Sequence, residues 1–174
     1  MIPKILAFVG DGEGKTSAAL GHAVRAAGHG EKVAVIQFLK GRNDTGDNIS
    51  LSSINGIVLY LAGEATFLTK GADRTKHIEK ARQGISKAKE VIAANAYFLI
   101  VLDEVLDAVA EGVMEEKDLL SMIDGVKQKG GPHIILTGRT LTSELSKRVD
   151  LLTRMQKIKH YYDSGEQGIK GLDW

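Results

Sequence analysis

Gly10, Asp11, Gly12, Glu13, Gly14, Lys15 and Thr16, followed by Ser17, join an apolar run to an alanine-rich one. Glycines at such a junction let backbone N–H groups turn toward an anion, and a helix opening there adds the positive end of its dipole. Lys15 contributes a point charge and Thr16 a hydroxyl suited to Mg²⁺. The common template G-x-x-x-x-G-K-[ST] would place its first glycine where Val9 stands, so the loop from Gly10 is one residue short. A plain glycine turn is the competing reading. The Gly-Lys-Thr ending, set between a strand-like and a helix-like run, favours phosphate.

Three other side chains can serve the same chemistry. Asp103 and Glu104 close the most apolar run of the chain, "YFLIVLDEV". Carboxylates beside a phosphate loop are useful when a cation stands between, which makes both candidate Mg²⁺ residues alongside Thr16. An acidic pair opening a helix is the alternative. Arg139, in "ILTGRT", follows another apolar run and can neutralise phosphate with a bidentate pair of hydrogen bonds; a solvated surface arginine is its alternative. Arg25 comes ten residues after Lys15. That is nearly three helical turns, where a side chain is ordinarily solvated.

These groups need a scaffold that brings them to one edge. Runs rich in Val, Ile, Leu and Phe at residues 4–9, 33–39, 57–61, 98–102, 133–137 and 153–158 read as strands. Several are apolar on both faces, as in a parallel sheet covered on both sides. Helical patterns alternate with them. Residues 17–27 are alanine-rich and stop at Gly28 and Gly30, and between 73 and 94 Ile78, Ala81, Ile85, Ala88 and Ile92 recur at three- and four-residue steps. Shorter helices are expected at 106–111, 115–127 and 142–149. The alternation predicts a doubly wound α/β fold in one domain over residues 1–174, its central sheet mostly parallel with helices on both faces. Residues 41–55, polar and rich in Asn, Asp, Ser and Gly, and 61–73 receive no element. Long loops beyond strand ends are where such folds bind ligands.

Composition narrows the class. The chain has 174 residues, 43% of them hydrophobic, enough for one sizeable core. Its 23 Lys and Arg balance 22 Asp and Glu, a net charge of +1, so no basic stripe invites nucleic acid, although a local cationic pocket is allowed. The absence of cysteine excludes disulfides, thiolate metal sites and cysteine nucleophiles. The apolar start meets Asp11 and Glu13 too early for a signal peptide. No apolar run approaches the roughly 18 residues of a membrane span. A soluble cytoplasmic protein without nucleic-acid or membrane partners is expected.

The stretch "GDGEGKTSAALGHAVRAAGHGEKVAVIQFLKG" resembles the N-terminal half of the ATP:corrinoid adenosyltransferases of the CobA/BtuR/CobO type. The ending "KHYYDSGEQGIKGLDW" is similar to that family's K-H-x-F-D-x-G, G-I-D/E and final aromatic residue. "VLDEV" and "LTGR" fall between them in the expected places. The resemblance covers nearly the whole chain. Its specific parts are the shortened loop, Gln37-Phe38 with Lys40-Gly41, and the tail.

The resemblance implies a RecA-like P-loop nucleotide-binding fold. It also implies transfer of the 5′-deoxyadenosyl group of ATP to the cobalt(I) of a reduced corrinoid, in adenosylcobalamin synthesis or salvage. The whole triphosphate leaves, and the short loop holds the nucleotide in the reverse sense to a kinase so that C5′ faces outward. By this resemblance Gly10, Asp11, Gly12, Glu13, Gly14, Lys15, Thr16 and Ser17 hold the triphosphate. Lys15 and Arg139 act on the leaving group, and Arg25 reaches the nucleotide. Thr16 and Glu104, supported by Asp103, bind Mg²⁺, and Phe67 and Leu68 face the corrinoid. An electron-donating reductase or flavoprotein and a second copy of the chain, forming a homodimer, are the implied partners.

The chain departs from the family at three places. Glu13 stands where Lys is common, which weakens the cationic cradle unless the carboxylate turns away or reaches a cation. "GEATFLTKGAD" replaces the family's G-x-G-F-x-W, keeping Phe67 but no Trp. The sequence also begins directly at its first strand, without the arm that many relatives use. Two other functions stay open on these residues: a P-loop phosphotransferase or ATPase, which the short loop disfavours, and a non-catalytic nucleotide or corrinoid carrier, which Glu13 and the missing Trp favour.

Overall fold

Along the strand Val33–Phe38 (β2), side chains alternate between two apolar layers, as the period of two requires. Ala34, Ile36 and Phe38 join one core cluster, while Val33 and Val35 join the other. The computed structural model describes residues 2–65 and 73–174, so Phe67 and Leu68 lie outside the described residues.

The remaining strands are Ile5–Val9 (β1), Ile57–Ala62 (β3), Leu99–Asp103 (β4), His133–Gly138 (β5) and Leu151–Arg154 (β6). They form one six-stranded sheet in the order β3-β2-β4-β5-β1-β6, and every neighbouring pair is parallel. One face is covered by Lys15–Gly28 (α1) and Gly46–Ser53 (α2), through Ala19, Leu20, Ala23, Ala26 and Leu51. The other carries Thr75–Ala94 (α3), Val105–Ala110 (α4) and Glu116–Lys129 (α5), through Ala81, Ile85, Ala88, Leu106, Leu119 and Ile123. Ser143–Ser146 (α6) is a single turn whose Leu145 is buried and whose Thr142 side chain caps the Leu145 N–H. A 3-10 turn at Tyr161–Ser164 lies in the tail. Among the described residues, no helix is long and apolar enough to cross a membrane.

The fold is the doubly wound α/β sheet expected, and five of the six strands fall where the apolar runs place them. Three segments differ. The polar stretch 41–55 contains α2, which buries Asn48 and Leu51. Ile49, two positions from Leu51, is 62% exposed, so the two large apolar residues follow no helical step and the helix is invisible to periodicity. The last strand is Leu151–Arg154 rather than 153–158. It lies at the sheet edge with all four residues exposed, and burial imposes no pattern on it. The helix expected at 142–149 shortens to α6, and Asp150 leads directly into β6 by accepting the Ile5 N–H at 2.8 Å.

Because all strands run the same way, their C-terminal ends share one edge. That edge receives the glycine loop after β1, Lys40 after β2, Asp103 and Glu104 at β4, Arg139 after β5 and Met155 after β6.

Candidate functional site

The loop between β1 and α1 is drawn in by the neighbouring backbone. Gly10 (φ 122°) donates its N–H to the Arg139 carbonyl at 3.1 Å, and Gly12 donates to the Met155 carbonyl at 2.9 Å. A Cβ on Gly10 would stand 2.1 Å from that Met155 oxygen, and its φ lies in the region L side chains avoid, so only glycine serves there. Among the described residues no side chain caps α1 at Gly14, which leaves the positive end of the helix open to a ligand. Lys15 Nζ donates to the Gly12 carbonyl at 2.7 Å and lines the opening. Burial lowers the Lys15 pKa from its ordinary value, with the Asp107 carboxylate opposing.

Asp103 is the hub of the edge. It is fully buried at the end of β4. Its Oδ1 accepts hydrogen bonds from the Thr16 hydroxyl (2.9 Å) and the Thr137 hydroxyl (2.7 Å). Its Oδ2 accepts from Lys40 Nζ (2.8 Å) and Gln37 Nε2 (3.3 Å). Glu104 takes the left-handed backbone conformation (φ 56°), and its N–H donates to Thr137 Oγ1 at 2.7 Å. Left-handed backbone at a residue other than glycine costs about 1–3 kcal/mol and persists where surrounding bonds over-determine it. Burial raises the Glu104 pKa above its ordinary value, partly offset by the Lys40 charge. Lys40 Nζ reaches Glu104 Oε1 at 3.2 Å and Thr16 Oγ1 at 3.2 Å as well. Burial opposes its charge, but Asp103 and then Glu104 outweigh that and raise its pKa to about 12.

The Thr16 hydroxyl therefore spends its proton on Asp103 and turns its lone pairs toward the cation beside it. Thr16, Asp103 and Glu104 are hard oxygen donors around one point, the set Mg²⁺ prefers. Both oxygens of Asp103 are engaged by protein donors, which leaves Thr16 and Glu104 the better placed to touch a metal.

Other expected residues fall variously. Arg139 borders the same opening; its N–H donates to Asp107 Oδ1 at 2.8 Å. Ser17 also lines it. Asp11 accepts the Lys157 N–H at 3.2 Å, which lowers its pKa from the ordinary value and ties the loop to the tail. Glu13 extends toward the tail as well as the opening, its Oε2 lying 3.9 Å from His160 Nε2. Arg25 lies apart from these residues. It sits exposed in the last turn of α1, about 15 Å along the axis from Lys15, and the structure does not bring it to the cradle.

Glu13, His160 and Asp173 bring ligand-type atoms within 4.8 Å of one another. The bonding there is that of a latch. His160 Nδ1 accepts the Tyr162 N–H, so a neutral ring carries its proton on Nε2, facing Glu13. Asp173 is already engaged by the Tyr161 hydroxyl and the Ile169 N–H.

Sequence reasoning left Gln37, Lys40, Thr137 and Asp107 out of the site. A signal existed for Gln37, a polar residue inside an otherwise apolar buried strand, and for Lys40 just past its end. The tail was also missed as a wall. Gly171, Leu172, Asp173 and Trp174 line the opening with Lys15, Thr16 and Lys40, and the Arg42 guanidinium stacks 4.9 Å over the Trp174 ring. The resulting cavity has a volume of about 900 Å³. A second, of about 450 Å³, lies beyond Arg139 among Asp11, Lys157, His160 and Tyr161.

Parallel sheet, glycine loop and open helix end define a P-loop nucleotide-binding protein of RecA-like type. Two solved structures share the fold at 16% identity each. The KaiC-like protein PH0186 of Pyrococcus horikoshii superposes with a TM-score of 0.57, over 97% of this chain and 75% of that one. The cytoplasmic domain of EssC gives 0.58, over 97% and 34%. Within that class the chain belongs to the family of ATP:corrinoid adenosyltransferases BtuR/CobO/CobP, whose model matches residues 3–174. It is 32% identical to the corrinoid adenosyltransferase of Pseudomonas aeruginosa, over 98% of this chain and 83% of the relative. It is 29% identical to that of Escherichia coli K12, over 98% and 85%. The chain is thus an ATP-using transferase by family, as its loop and tail led one to expect.

Proposed function

We propose that this protein alkylates the cobalt(I) of a reduced corrinoid with the 5′-deoxyadenosyl group of ATP. The cobalt lone pair forms the new bond to C5′. The C5′–O bond breaks, and its electron pair leaves on the triphosphate. No general base is required, since the nucleophile already carries its electrons. The chain's task is to position the nucleotide and stabilise the departing charge.

The observation that carries this reading is the cavity joining the uncapped helix end and Lys15 to the Thr16–Asp103–Glu104 cluster. The loop and α1 N-terminus accept the triphosphate. Lys15 and Arg139 meet its charge. Thr16 and Glu104 would hold Mg²⁺, with Asp103 fixing the Thr16 hydroxyl from behind; when bound, the ion neutralises phosphate charge. The corrinoid is substrate, and an external reductase or flavoprotein supplies its electron.

The test is anaerobic incubation with Mg-ATP and chemically reduced cobalamin, following the cobalt–carbon chromophore and free triphosphate together. Both should appear in equal amounts. ADP in place of triphosphate would identify a phosphotransferase, and binding without either product a carrier.

A further inference from the structure

Lys40 occupies the position a metal would want. Its ammonium lies 2.8 Å from Asp103 Oδ2, 3.2 Å from Glu104 Oε1 and 3.2 Å from Thr16 Oγ1. These are one hydroxyl and two carboxylates, the oxygen set of a divalent cation. Lys15, the lysine of the loop, is held instead on the Gly12 carbonyl and does not enter this cluster.

The backbone presents Lys40 rigidly. Leu39 before it is left-handed, with φ 58°. The turn after β2 is pressed against the end of β3: a Cβ on Gly63 would stand 2.2 Å from the Lys40 nitrogen, and one on Gly41 would stand 2.3 Å from the Glu64 carbonyl carbon. The side chain is therefore launched from a fixed point into the carboxylates, not trailed across a surface.

An ammonium and a divalent ion cannot share three oxygens at contact distance, because like charges a few ångströms apart repel strongly outside bulk water. We propose that Lys40 is the resident cation of the nucleotide site. It offsets part of the charge of Asp103 and Glu104 while no metal is present, and it gives up their oxygens when a divalent ion enters, which frees its ammonium to contact the triphosphate. The proposal rests on the reading of Thr16 and Glu104 as metal residues. It makes the empty site a poor one for free divalent ions, so that metal enters together with nucleotide.

The experiment is titration with Mn²⁺ in the absence of nucleotide, reading free Mn²⁺ by electron paramagnetic resonance, on the wild type and on Lys40→Met. The variant should bind one Mn²⁺ at least ~10-fold more tightly than the wild type, for loss of one competing unit charge. Adding Glu104→Gln should abolish that gain. Equal affinity in wild type and Lys40→Met, or a gain that survives Glu104→Gln, would overturn the proposal. Should Lys40→Met not fold, the wild type decides. Acetylation of Lys40, mapped by mass spectrometry, should be slow in the free protein and accelerate at saturating Mn²⁺; a rate unmoved by Mn²⁺ refutes displacement. Neither arm uses ATP or corrinoid, so a failed adenosyl-transfer assay and a failed Mn²⁺ titration are separate results.

Discussion

Replacing Asp103 by Asn keeps the shape of the hub and removes its charge. The carboxylate accepts four hydrogen bonds in a fully buried position, two on each oxygen. An amide offers one oxygen and one NH₂. If its oxygen takes the Oδ1 side, the NH₂ meets Gln37 Nε2 and the Lys40 ammonium, donor against donor. If its oxygen takes the Oδ2 side, Thr16 and Thr137 must rotate their hydroxyls to accept. The second arrangement is the cheaper, but it turns the Thr16 proton toward the cation position and leaves Lys40 with a neutral partner. Removing one member of a buried charge pair costs about 3–5 kcal/mol, and with the Lys40 side chain 31% exposed the lower end, about 3 kcal/mol, applies. For a chain of this length each kcal/mol shifts Tm by about 2–4 °C, so the variant should melt about 6–12 °C lower by circular dichroism. The double variant Asp103→Asn/Lys40→Met should recover at least ~1 kcal/mol relative to the sum of the single losses, since in it no ammonium faces the amide. A Tm within about 2 °C of wild type, or strict additivity in the cycle, would refute the account of Asp103 as the charged hub.

Lys15→Ala should abolish adenosylation with little change in Tm, because among the described residues Nζ bonds a carbonyl of its own loop. Loss of a charge-assisted hydrogen bond to phosphate costs about 1.5–3 kcal/mol, so calorimetric ATP affinity should fall roughly 10- to 150-fold; near wild-type turnover in a folded variant would remove Lys15 from the site. Glu104→Gln carries a pH signature. The folded carboxyl has its pKa raised above the ordinary 4.5, chiefly by burial. Folding therefore binds a proton as pH rises past the ordinary value, and stability falls through that window. Metal-free Glu104→Gln should then gain stability over wild type near pH 7 and lose that advantage below about pH 4, while the Mg²⁺ dependence of ATP binding weakens. A stability difference that is flat with pH would contradict the assignment. Glu13→Lys should tighten ATP binding at low ionic strength, since a unit charge at ~8 Å contributes about 2 kcal/mol at an effective dielectric of about 20, with the gain shrinking as salt screens it. The same change breaks the approach to His160, so limited proteolysis should cut the tail faster. Weaker ATP binding would show that the Glu13–tail contact supports the cradle.

Local pattern carried a good deal of this protein. The glycine loop, the apolar runs and the steps from Ile78 to Ile92 are short-range features, set by backbone freedom and by the periods of strand and helix. They were legible without a partner, and so was a sheet covered on both faces. Which further side chains surround Asp103 at the sheet edge was not legible. Gln37 lies opposite Asp103 because β2 pairs with β4 in that register, and Thr137 follows Leu136, the partner of Leu102, because β5 pairs with β4 on the other side. These pairings join residues far apart in sequence, so no spacing rule announces them. The same holds for the tail, which becomes a wall of the cavity only after β6 docks beside β1 and Met155 receives the Gly12 N–H. Arg25 shows the converse. The helix that carries it is a short-range feature, but an α-helix rises about 1.5 Å per residue, so ten residues set its charge well apart from Lys15. Sequence determined which side chains could do chemistry, and strand order decided which of them surround Asp103, because a buried carboxylate is defined by the donors that long-range pairing brings to it.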